Sequence, residues 1–188
     1  SCSGPDSSGG VEFSKTDNSF PYGSCRGPGY QTHSTERTGC GWVSGNKTLC
    51  VNCEKNYYIQ PHANLYGARL KGANLKFANL SYSNLEYARL EGADLSYSDL
   101  TNANAQDAWL TNANLLYAKL NRAVLSGSLA GAVLGYADLT NADLSNANLM
   151  DVDLTGANLI FANLTNANLS GGYLPSAKLV GANLSHAN

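Results

Sequence analysis

Cys50-Val51-Asn52-Cys53 is the stretch whose spacing could seat a metal ion or run a dithiol reaction, with Cys25, Cys40, His33 and His62 as further ligand types. A structural zinc site joins two close pairs, whereas Cys25 and Cys40 stand far apart. Thioredoxin-type chemistry needs its pair at the start of a helix in an α/β setting, and the surrounding sequence has no such pattern. Disulfides are the stronger reading. All five cysteines fall in the first 53 residues, so two bridges among Cys25, Cys40, Cys50 and Cys53 are expected, with Cys2 left over. That clustering points to a secreted, cell-surface or other oxidising extracytoplasmic compartment. The histidines are only His33, His62 and His186, and no GxSxG, P-loop, HExxH or dinucleotide motif occurs. No catalytic residue, metal or cofactor is therefore assigned, and the chain is not expected to be an enzyme.

Binding is left as the chemistry to place, and a repeat does the placing. From His62 to Asn188 a small residue and a Leu recur two places apart every five residues, as in Gly72-Ala73-Asn74-Leu75-Lys76 and Asn141-Ala142-Asp143-Leu144-Ser145. Neither a 3.6-residue helix nor a two-residue strand period gathers such positions on one face. A chain that turns every five residues does: Leu and Ala point inward and three positions point out. The small residue is required because opposite walls meet in a narrow interior, where extra methylenes cost about 1–3 kcal/mol. Ala105 stands at a Leu position, and one residue is lost at Ser126-Gly127-Ser128-Leu129.

The pattern resembles the pentapeptide-repeat family, whose units read A-(D/N)-L-x-x. The resemblance implies an all-β, right-handed quadrilateral β-helix over residues 59–188, with about six coils at the roughly 4.8 Å inter-strand spacing. Residues 1–58 lie outside it. Their Ser, Gly, Pro and Cys content predicts a small irregular cap, stapled by disulfides and covering the first coil.

Stacking at a twenty-residue period sets outward residues over one another. Tyr57, Phe77, Tyr97, Tyr117 and, across the lost residue, Tyr136 form one expected aromatic column and candidate binding surface. Arg69, Arg89 and Trp109 form another, read as a solvated face with Glu91 or Glu86 between the guanidiniums and Arg89 against Trp109. Charged residues make up 14% of the chain and the net charge is -2, too weak a field to attract nucleic acid or to imitate it. DNA mimicry, which some relatives use against topoisomerases, therefore ranks last. No apolar run is long enough for a transmembrane segment. The first expectation is an exported structural rod that self-associates end to end, as a homo-oligomer or filament. The alternative is an extracellular adhesion module that binds a glycan or protein through the aromatic column.

Overall fold

The computed structural model describes residues 57–188, together with the backbone of Gly39–Val43 and Lys47–Val51. Strands β1 (Gly39–Val43), β2 (Lys47–Val51) and β3 (Tyr57–Ile59) form an antiparallel sheet in the order β1-β2-β3. This corrects the expectation of an irregular segment, since Trp42, Val43, Thr48 and Val51 are residue types suited to a pleated surface. Cys40 and Cys50 are direct cross-strand partners in that sheet. Cys2, Cys25 and Cys53 lie outside the described residues, as do the side chains of Cys40 and Cys50.

Beyond β3 the chain coils. Residue 64 bridges residue 84 in parallel, 69 bridges 89, 74 bridges 94 and 79 bridges 99, so each coil has four sides and a period of twenty. At the lost residue Trp109 bridges Ser128 after nineteen, and the next step, Ser128 to Asn148, returns to twenty. These contacts are isolated single-residue bridges rather than strands. The reason is local: a turn every five residues leaves one extended position per side. At the third residue of almost every turn the backbone is left-handed, with φ between 54° and 73°, as a type II turn requires.

Five N–H groups per unit all need acceptors, and the repeat supplies them. Asn84 donates back to Ala63 O at 2.9 Å, while Leu65 donates forward to Asn84 O at 2.7 Å and Gly67 to Glu86 O at 2.8 Å. Ala68 closes the turn onto Leu65 O at 2.9 Å. The fifth donor, the N–H just after Leu, goes to a side chain: Asn64 Oδ1 accepts from Tyr66 N, and Asp94 Oδ1 from Ser96 N at 3.0 Å. Every Asn or Asp before a central Leu or Ala105, from Asn64 to Asn183, does this. The D/N position of the repeat is thus an Asx cap on the following turn.

The inward Ala and Leu side chains make one continuous core from Ile59 to Ala167. Where Ser83 replaces Ala, its hydroxyl donates to Leu80 O at 2.6 Å. Tyr57 does not join the outward column assigned to it. Its ring packs partly buried against the core, and its hydroxyl accepts from Arg69 N at 3.1 Å. That N–H stands where Arg89 N finds Ala68 O one coil earlier, so Tyr57 takes the place of a missing preceding coil. Because β3 pairs with β2, the twenty-residue register does not extend back to it.

Candidate functional site

The aromatic column occupies the left-handed third position of successive turns at one corner of the coil. Phe77, Tyr97, Tyr117 and Tyr136 have φ of 61°, 59°, 57° and 55°. Their ring centroids lie 5.2, 5.1 and 5.1 Å apart, with interplanar angles of 28°, 18° and 11°. Lys76 Nζ sits 5.3 Å from the Phe77 ring and 5.6 Å from that of Tyr97. At the far end Tyr136 leans over Gly156, where a Cβ would stand 2.6 Å from its Cε1. Stacking therefore covers the ring faces along the column, and what solvent meets is a row of ring edges and tyrosine hydroxyls. All four residues are about half exposed, from 44% at Tyr117 to 54% at Phe77.

On another side Arg69, Arg89 and Trp109 are stacked by bridges. The Arg89 guanidinium lies 5.1 Å from the Trp109 ring centroid, and Glu91 Oε1 accepts from its Nε at 3.2 Å and Nη2 at 2.9 Å. Of the two acids expected between the guanidiniums, Glu91 is the one that pairs; Glu86 accepts instead from Asn104 Nδ2. Burial disfavours ionisation of Glu91, but hydrogen bonds from its own N–H and from Arg89, with the charges of Arg89 and Lys71, outweigh it and hold its pKa below the ordinary value of 4.5. A depressed carboxyl pKa contributes stability that is complete above the unfolded value and disappears as the pH falls through the folded one. Urea midpoints should therefore drop more between pH 6 and pH 3 for the natural chain than for Glu91→Gln; parallel losses would remove Glu91 from the account.

Along residues 62–96, 88–127, 128–160 and 157–188 the sequence matches the family profile described as pentapeptide repeats, in eight copies. The chain belongs to the pentapeptide-repeat family. Among solved structures it is similar to a trypsin-treated form of QnrB1, a plasmid-mediated fluoroquinolone resistance protein, at 24% identity and a TM-score of 0.64, over 68% of this chain and 65% of that one. That likeness concerns the fold. HetL, involved in heterocyst differentiation regulation in the cyanobacterium Nostoc sp. strain PCC 7120, is 31% identical over 69% of this chain and 65% of its own, with a TM-score of 0.49. A thylakoid-lumen member from Arabidopsis thaliana is also 31% identical, over 60% and 66%, with a TM-score of 0.21. The chain thus spans about 65% of the length of HetL and of that QnrB1 form. A search of curated protein sequences found no relative.

Within this pentapeptide-repeat coil the sequence reading missed two aromatic pairs, one of them His62 stacked on Tyr82 at 5.0 Å. Tyr66 and Tyr87 meet edge to face at 5.4 Å, on the corner just before the Arg69–Arg89–Trp109 side. The Asp107 carboxylate one coil on raises the Tyr87 pKa through its charge, with smaller contributions from desolvation, Tyr66 and Glu86. Tyr66 stands one place before its turn's left-handed residue and Tyr87 is that residue, so the twenty-residue rule does not pair them. A period of twenty-one between turn positions would have found them. Among the described residues no helix is long and apolar enough to cross a membrane, and no cluster of His, Cys, Asp or Glu could hold a metal ion.

Proposed function

We propose that this pentapeptide-repeat rod is a protein-binding module that works through its side, with the Phe77–Tyr97–Tyr117–Tyr136 column as its contact strip. The supporting observation is where those rings stand. Each occupies a left-handed position that glycine takes freely and that disfavours a larger L-residue by about 1–2 kcal/mol. Three stacking contacts return about 0.5–1.5 kcal/mol each against four such positions, so the column at best breaks even as a stabilising device. A row that the fold gains little by keeping, half exposed and tipped with hydroxyls, has the makeup of an interface strip. Covered ring faces favour protein over glycan, since a sugar stacks on an open face whereas a protein surface can pack on edges and hydrogen-bond to hydroxyls.

A photo-crosslinking side chain at position 97 tests this reading in extracts of the source cells. Saturable protein adducts are expected, competed by excess natural chain and not by the Tyr97→Ala/Tyr117→Ala double variant. Equal competition by both, or glycan-array binding that the double variant loses, would reject the strip as a protein contact.

A further inference from the structure

Between Asn64 and Asn114 there are eleven positions before a central Leu or Ala105, and eight hold an Asn or Asp that caps its turn. The three departures, Arg69, Arg89 and Trp109, lie directly over one another on one side of the coil. After Ser128, which also lacks the cap, the same side returns to capping residues at Asn148 and Asn168, so its place in the coil does not forbid them. Each departure gives up the side-chain acceptor for the N–H two residues on; at Glu91 the residue's own carboxylate takes over. A side that drops a repeated local device in successive coils is one where the surface contributes to the choice of residue.

The lost residue falls at the same place. Trp109 pairs with Ser128 after nineteen residues, and Gly127 is drawn so close that an added Cβ would stand 2.2 Å from Ala108 O. No left-handed residue occurs between Arg122 and Gly131, so this corner lacks the turn that carries Tyr87 and Asp107 in the two coils before it. The shortening leaves a step in the edge of the rod beside Trp109.

Beside that step stands Trp109, 51% exposed, with Arg89 laid against it, and Tyr87 and Tyr66, 48% and 59% exposed, continue the same corner into the earlier coils. Trp, Tyr and Arg are the residues that most often anchor protein interfaces. Arg89 is held by Glu91 through Nε and Nη2, while its Nη1 makes no hydrogen bond among the described residues. The charge of Lys71 also acts on that carboxylate. A guanidinium fixed in this way presents its outer edge to a carboxylate. Phosphate backbones fit poorly, because the cation track is too short for a run of phosphates.

We infer that this side is a second binding surface, which takes a polypeptide segment presenting an Asp or Glu carboxylate beside a bulky apolar side chain. The carboxylate binds the outer edge of Arg89 and the apolar group fills the step against Trp109. The inference stands apart from the aromatic strip and does not need it.

Random linear peptides displayed on phage and selected on the full chain provide the probe. The expected winners carry Asp or Glu next to a large apolar residue. Their affinities, read by fluorescence polarisation, should fall at least about tenfold for Arg89→Gln and for Trp109→Ala, the scale of an interface anchor. Changing the peptide's acid to its amide should cost a similar factor, and Tyr97→Ala/Tyr117→Ala should change nothing. Trp109→Asn guards against a folding artefact, because it regains a turn cap: it should melt no lower than the natural chain yet bind as weakly as Trp109→Ala. Winners without acids, undiminished binding by Arg89→Gln or Trp109→Asn, or loss confined to the Tyr97/Tyr117 variant would each overturn the inference.

Discussion

Leu115→Ala should cost about 2–5 kcal/mol of unfolding free energy, while the same change at the next residue, Leu116→Ala, should cost well under half of that. Leu115 is fully buried between Leu95 and Leu134 of the adjoining coils, whereas Leu116 is only partly buried at the start of a turn. The interior is a single file of Leu and Ala contributed from four sides, with little freedom to close a void, because each backbone is tied to its neighbours above and below. Leu115 N is bonded to Val133 O at 2.7 Å and Asn114 N to Ala93 O at 2.9 Å, so collapse around the cavity would strain bonds on both sides. The cost should therefore fall in the upper part of the range. Urea unfolding of the two variants, read by circular dichroism, makes the comparison. Equal losses would mean that adjacent leucines do not divide between core and surface, and the inward assignment of the whole repeat would fail with them.

That division was legible in the sequence because a five-residue period admits few solutions. The four-sided section is what the family resemblance implies; with it in hand, the inward Ala and Leu, the register across the lost residue and the Phe77–Tyr136 stacking follow from counting. Other features depend on contacts that counting does not reach. Tyr57 has the right spacing for the column, yet it sits before the first coil, where its hydroxyl accepts from Arg69 N–H and its ring packs against the core. The capping role of the D/N position needs the turn geometry to be known before its Oδ1 can be aimed at an N–H. Once that role is known, Arg69, Arg89 and Trp109 change from an ordinary polar face into three missing caps in a row. The sequence also gives no direction of lean to the corner side chains. Tyr136 over Gly156 and Phe161 over Gly181 show that they tilt toward the following coil, so a glycine there marks where a column ends.

Gly127→Ala should be among the most damaging single-methyl additions in the coil, at about 3 kcal/mol, the upper end of ordinary overpacking. The new Cβ would meet Ala108 O at 2.2 Å and Ala108 N at 2.8 Å, backbone atoms held by Ser128 N to Ala108 O at 3.0 Å and by Ala108 N to Ala105 O at 3.1 Å. Neither can rotate away. Relief requires the coils to part locally, which lengthens that bond and the one from Asn148 N to Gly127 O at 3.0 Å. Gly135→Ala is the fitting control, since its nearest neighbour is the Leu116 Cδ1 methyl at 3.0 Å, the end of a side chain that can swing aside. Hydrogen exchange should show Ser128 and Asn148 losing protection in Gly127→Ala and keeping it in Gly135→Ala. If the two alanines cost the same, the close approach at the shortened corner is not there. In that case the step beside Trp109 loses its floor, and a carboxylate-bearing segment would find only a flat side to bind.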